Sequence, residues 1–212
     1  MHGQPAKRGQ AVKTVRSAES ASPVPELNPG NIYAATKACQ DMLGKIYTRA
    51  YKMDIIMVRA FNHSGPAQSN IFVISDFCRQ IAEIEKGMKE PVISVGNLSA
   101  KRDFTDVRDV VRAYRLLGEK GVIGNVYNVG RGKAVEIQYI LDTALSYANQ
   151  PIEVKRDPAR MRASDIPLIE PDVSHIFEDT GWSAEITMEQ TIKDTLDYWR
   201  QKLSSYGLSL GS

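Results

Sequence analysis

Tyr33-Ala-Ala-Thr-Lys37, within the run Asn31-Ile-Tyr-Ala-Ala-Thr-Lys-Ala-Cys-Gln-Asp-Met-Leu43, is the stretch on which the reading of this chain turns. Its small and apolar residues follow the turn formers Leu27-Asn28-Pro29-Gly30, so a helix is predicted from Asn31 to about Tyr51. Positions i and i+4 of a helix share one face, which puts the Lys37 ammonium on the side of the Tyr33 phenol. A cation beside a phenol favours its phenolate form and suits it to passing protons to a sugar or alcohol oxygen. The same spacing also occurs on an ordinary amphipathic helix with a solvated lysine.

Outward from this helix the pattern stays regular. The apolar run Asp54 to Ala60 is short and bounded like a buried strand, and strand after helix predicts an α/β layer. Further helices are predicted over Phe72–Lys86, Asp106–Glu119 (Val107, Val110, Val111 and Tyr114 inward), Val135–Ala148, Val173–Thr180 and Met188–Leu203. Strands are predicted over Pro91–Val95, Asn125–Val129 and Ile152–Val154. Residues 1–26 differ, with Lys7, Arg8, Lys13 and Arg16 scattered among small polar residues. They read as a flexible basic arm, a disordered start with a superficial likeness to a transit peptide, ahead of one unit over 27–212.

The 212 residues, 42% of them hydrophobic, suffice for one domain with a substantial core. The formal charge of +2 leaves no electrostatic footprint for nucleic acid. No stretch is long and apolar enough to span a bilayer, so no membrane association is expected and the cytoplasm is the simplest location. Cys39 and Cys78 fall in helical patterns and read as small buried hydrophobes, with no metal site expected.

Several motifs in order carry a resemblance. Val58-Arg-Ala-Phe-Asn-His-Ser-Gly-Pro66 follows the Tyr-x-x-x-Lys helix, then come Lys101-Arg-Asp-Phe-Thr-Asp-Val-Arg-Asp-Val110, Val126-Tyr-Asn-Val-Gly130 and Arg162-Ala-Ser-Asp-Ile-Pro167. From about Leu27 to Arg200 the chain resembles the extended short-chain dehydrogenase/reductase (NAD-dependent epimerase/dehydratase) family. Within it, the likeness is to the branch of GDP-mannose 4,6-dehydratases and GDP-4-keto-6-deoxy-D-mannose reductases. That resemblance implies the C-terminal part of a doubly wound, Rossmann-type α/β fold with a small α/β substrate-binding lobe.

It also implies roles. Tyr33 would be the general acid/base and Lys37 its partner, both touching a nicotinamide cofactor, NADP or NAD. Asn62 would meet the phosphate of a GDP-sugar, although a turn residue bonding its own backbone fits the same position. Arg102, in the loop ahead of the Asp106 helix, and Arg162 would grip the diphosphate, and Asp165 would accept from ribose hydroxyls. Family members pair through the tyrosine helix, which implies a homodimer. Phe104-Thr-Asp-Val107 is more similar to the reductases than to the dehydratases.

Four positions stay open or plain. Arg59 either points into the cleft or reaches water from a strand end; His63 fills a local polar niche; Asp106 and Asp109 read as a helix cap and a first-turn acid. The family's catalytic Ser or Thr is not assignable, with Gly9 near its expected distance and Ser17, Ser20 and Ser22 closer in. No Gly-x-x-Gly-x-x-Gly or Gly-x-Gly-x-x-Gly turn occurs, so the first nucleotide-binding βα units of the family are not represented and catalysis by this chain alone is in question.

Overall fold

In the computed structural model residues 32–160 and 167–208 are described, which leaves the basic arm, Arg162 and Asp165 outside the described residues. The chain forms α1 (Ile32–Tyr51), β1 (Met57–Ala60), β2 (Asn62–Ser64), α2 (Val73–Glu85), β3 (Val92–Val95), β4 (Lys101–Asp106) and α3 (Val107–Lys120). It continues through β5 (Val126–Val129), β6 (Ala134–Glu136), α4 (Ile137–Ser146), β7 (Glu153–Arg156), a 3-10 turn (Pro158–Arg160), β8 (Leu168–Ile169), α5 (Ser174–Thr180) and α6 (Met188–Leu208). Pairing is parallel for β1 with β5, β2 with β4, β3 with β7 and β4 with β8, and antiparallel for β4 with β6.

Two apolar cores result. The larger lies among α2, α4, α6, β3 and β4, where Ile81, Ile93, Ile140, Leu141, Ile192 and Leu196 are fully buried. Each such side chain stabilises the fold by roughly 1.5–3 kcal/mol. The smaller joins α3, β5 and α5 around Val110, Leu117, Tyr127, Ile176 and Trp182. The chain passes from the β1–β5 pair to the sheet of β2, β4, β6 and β8 at Phe61, the single residue between β1 and β2, whose N–H donates to Val129 O at 2.9 Å.

Strand β4 and helix α3 form a second joint, made by three buried aspartates. Asp106 caps α3 by accepting from Arg108 N at 2.8 Å, and its other oxygen accepts from Thr191 Oγ1 on α6 at 2.8 Å. Asp109, in the first turn, accepts the N–H groups of Glu185 and Ile186 at 2.9 Å each. These match the cap and first-turn readings. The inward face of α3 differs from the predicted one: Asp109, Val110, Ala113 and Leu117 are buried, whereas Val111 is 62% and Tyr114 48% exposed. Drawing Asp109 inward toward the 185–186 backbone rotates the helix so that the Val111–Tyr114 row faces out. Cys78 is buried as expected, and burial pushes its thiol up to about 12; Cys39 is exposed, on a face of α1 that no described element covers.

Helix α1 is attached differently from the rest. Only Ala38 and Asp41 are buried along it, and Ile32, Met42, Leu43, Ile46, Tyr47 and Tyr51 are all exposed. Arg59 of β1 holds it with a forked ion pair to Asp41, Nη2–Oδ2 at 2.9 Å and Nε–Oδ1 at 3.4 Å. Neither earlier alternative for Arg59 describes this, since its charge turns back to the helix that precedes it. Gly44 lets helix and strand approach, for a Cβ there would lie 2.7 Å from Met57 Sδ. Among the described residues β1 pairs with β5 alone.

Two outcomes are expected. Arg59→Ala should lower stability by about 1–3 kcal/mol in urea unfolding, because it takes both guanidinium bonds from the buried Asp41 carboxylate and leaves it only Lys45, whose Nζ lies 3.4 Å away. Burial raises the Asp106 pKa, but bonds from Arg108 and Thr191 outweigh it and leave the carboxyl below its ordinary 3.8. A depressed folded value means that this stabilisation is present above 3.8 and lost as pH falls through the lower folded value. Asp106→Asn is therefore expected to be less stable near neutrality, with a shallower loss below about pH 4 than the parent in paired unfolding curves.

Candidate functional site

The β2–β4 strand pair carries two of the candidate residues, Asn62 and Arg102. Register pairs Asn62 with Phe104, two positions beyond Arg102 on β4, and alternation puts Asn62 and Arg102 on one face of the same strand pair. Asn62 is exposed on β2 instead of sitting in a turn. Arg102 lies in a strand, not in the expected loop, and its Nη1 donates to the backbone carbonyl of Lys101 at 2.8 Å. His63 Nδ1 lies 3.0 Å from Phe61 O, in keeping with a local polar niche.

Tyr33 and Lys37 occupy the first turns of α1, with Tyr33 71% exposed. Lys37 Nζ sits 5.8 Å from the Tyr33 ring centroid and donates to Gln40 Oε1 at 3.2 Å. The same-face geometry of the pair is thus present, with the ammonium hydrogen-bonded along its own helix. Helix α1 is tied by Arg59 to β1, the strand that leads into Asn62 three residues later.

Asp103 went unassigned in the sequence, yet it shapes the loop beside this strand pair. Its side chain is fully buried, with Oδ1 accepting from Arg131 N and Oδ2 from Lys133 N, both at 2.9 Å. Burial raises its pKa, against the downward pull of N–H groups from residues 131–133 and the Thr105 hydroxyl. Gly130 permits the approach, because a Cβ there would meet Pro171 Cγ at 2.7 Å and Asp103 Oδ1 at 3.0 Å. The available signal was Gly130-Arg-Gly132, a turn whose amides converge on an acceptor. A cavity of about 250 Å³ opens at the second core, lined by Gly130, Arg131, Val173, Phe177, Trp182 and Ala184 among others. None of the described candidate residues lines it.

Comparison with known proteins agrees with the architecture. The sequence matches the family described as GDP-mannose 4,6 dehydratase over residues 14–195. It is 33% identical over 189 residues to the GDP-6-deoxy-D-mannose reductase of Pseudomonas aeruginosa, covering 88% of this chain and 62% of the reductase. Identity to the GDP-mannose 4,6-dehydratase of Sinorhizobium fredii is 25% over 195 residues, covering 81% of this chain and 55% of the dehydratase. Among solved structures, RMD from Pseudomonas aeruginosa complexed with NADPH superposes with a TM-score of 0.79 at 31% identity, covering 89% of this chain and 63% of that one. The dTDP-glucose 4,6-dehydratase of Bacillus anthracis in complex with NAD gives 0.72 at 19% identity, covering 90% and 58%, a likeness of fold alone.

The chain therefore spans roughly three-fifths of the length of the first relatives it matches. Its parallel pairs and covering helices are part of a Rossmann-type α/β fold. On the match over residues 14–195, and on the reductase that shares a third of its residues, this chain belongs to the GDP-mannose 4,6 dehydratase family.

Proposed function

We propose that this chain carries the sugar-nucleotide side of a 4-keto nucleotide-sugar reductase, most like a GDP-4-keto-6-deoxy-D-mannose reductase. The observation that carries the reading is the shared face of Asn62 and Arg102 beside a loop organised by Asp103, in a chain 33% identical to such a reductase. An amide and a guanidinium on one strand pair suit a diphosphate, one by hydrogen bonds and one by a planar charged fork. Arg162 adds a second guanidinium and Asp165 an acceptor for ribose hydroxyls. Tyr33, with Lys37 beside it, passes the proton to the sugar oxygen.

A nicotinamide cofactor, when bound, supplies the hydride. Tyr33 and Lys37 suit only its ribose end, because the 212 residues include no glycine-rich βα turn whose N–H groups would cradle a pyrophosphate. The exposed row of Leu43, Ile46, Tyr47 and Tyr51 favours a further role for α1 as the contact between two copies of the chain, a homodimer through the Tyr33 helix. That row is equally compatible with a non-catalytic GDP-sugar-binding or partner-binding fragment, and dehydratase activity is the chemical alternative within the family.

Calorimetry with GDP, UDP and NADPH tests the reading. GDP is expected to bind in preference to UDP, with Arg102→Ala and Arg162→Ala each weakening it about tenfold or more, the loss of a charge-assisted bond. NADPH is expected to show no binding tighter than about 1 mM. Equal affinity for GDP and UDP, or GDP binding indifferent to both arginines, contradicts the assignment. A micromolar constant for NADPH contradicts the cofactor reading.

A further inference from the structure

The turn after β2 holds one residue, Ala67, in a conformation that an alanine does not favour. Gln68 N donates to Gly65 O at 3.3 Å, Pro66 stands at the second position, and Ala67 at the third has φ of +68°. This is the pattern of a type II turn, whose third position ordinarily takes glycine or asparagine because a Cβ is strained at positive φ. A non-glycine residue keeps such a conformation only where its surroundings over-determine it.

The Gln68 side chain supplies that constraint. Its Nε2 donates to His63 O at 2.8 Å, and its Oε1 accepts from Ser64 Oγ at 2.7 Å, so one amide closes the loop onto the strand that carries Asn62. Its backbone carbonyl accepts from Ser75 Oγ at 2.7 Å. Ser75 is fully buried on α2 and accepts in turn from Trp199 Nε1 of α6 at 3.0 Å. The turn is thereby fastened to the larger core at one end and to β2 at the other. Gly65 completes the closure against α3, where a Cβ would lie 2.8 Å from Val107 Cγ1.

The geometry points to Gln68 as a positioning residue for the sugar-nucleotide site, setting the direction of the Asn62–His63 backbone through its paired bonds to His63 and Ser64. The inference rests on the role proposed above for Asn62. It acts through the strand, fixing the His63–Ser64 end of the three-residue β2 that Asn62 begins. A small displacement of a group that orients a ligand costs binding and rate far more than it costs stability.

The experiment uses the ¹⁵N-labelled full chain and GDP as the probe, and reads GDP affinity, the Asn62–Ser64 amide signals and the melting temperature. Gln68→Ala is expected to weaken GDP about tenfold and to shift those amides with or without GDP, while melting moves by only a few degrees. Gln68→Glu keeps an acceptor for Ser64 but offers no donor to His63, and is expected to lose GDP affinity by a similar factor. The decisive arm is Ala67→Gly added to Gln68→Ala. Glycine adopts the positive φ without strain but restores neither bond to β2, so the melting temperature is expected to recover while GDP affinity and the amide shifts stay at the Gln68→Ala values, which a merely destabilised turn would not give.

Unshifted Asn62–Ser64 amides in Gln68→Ala, or unchanged GDP affinity in Gln68→Glu, overturn the proposal. So does a loss of GDP affinity that Ala67→Gly fully restores. If the parent chain itself binds no GDP, the functional reading fails, and the ligand-free amide shifts still decide whether Gln68 holds the Asn62 strand.

Discussion

Three carboxylates spaced along one strand-to-helix segment hold the later half of the molecule in place. Asp103, Asp106 and Asp109 are each almost wholly shielded from water, and each is aimed at a different part of the chain. Asp103 gathers the amides of residues 131–133, Asp106 reaches α6 through Thr191, and Asp109 fastens the 185–186 backbone. A buried carboxylate is costly unless its lone pairs are satisfied, so the three act as constraints on where those segments can lie. The Trp182 indole, donating to Asp109 O at 3.1 Å, joins the second core to the same segment. Because Arg102 precedes this segment directly and Asn62 pairs with it, the candidate binding face inherits its rigidity.

The proton-handling pair stands on the opposite kind of support. Helix α1 buries only Ala38 and Asp41, and its principal tie to the sheet is the fork from Arg59. Segments with few buried apolar contacts open at low free energy. Tyr33 and Lys37 therefore belong to a weakly buttressed helix, while Asn62 and Arg102 stand on the strand pair that leads into the buried aspartates. Under the proposed function, sugar-nucleotide binding is a property of the rigid part. Its alignment with the acid/base pair depends on whatever covers the outer face of α1.

Much of this was legible in the residues, for reasons that differ by element. Helices α2, α4 and α6 announced themselves by apolar spacing because each buries one stripe against a single core. Strands β2, β4, β6 and β8 did not, being between two and six residues long and, in β4, rich in charge, as in Lys101-Arg-Asp-Phe-Thr-Asp106. Their pairing is dictated by tertiary neighbours, which periodicity does not report. The phase of α3 was misjudged because its inward row includes Asp109, a residue that polarity alone would turn outward. Arg59 and Asp41 lie 18 positions apart in sequence, and a helix-to-strand ion pair leaves no local signature. Family membership was readable from ordered motifs. Arg162 and Asp165 lie outside the described residues, so their part in the site rests on the sequence.

The most direct test of the central claim, that the face shared by β2 and β4 is where the sugar nucleotide binds, is a titration of the ¹⁵N-labelled full chain with GDP-mannose followed by amide and side-chain NMR signals. The account expects the largest shifts at the Asn62 side-chain amide and the Arg102 guanidinium. Shifts confined to the Trp182 and Phe177 cavity, or none near Asn62 and Arg102 at saturating ligand, would contradict it.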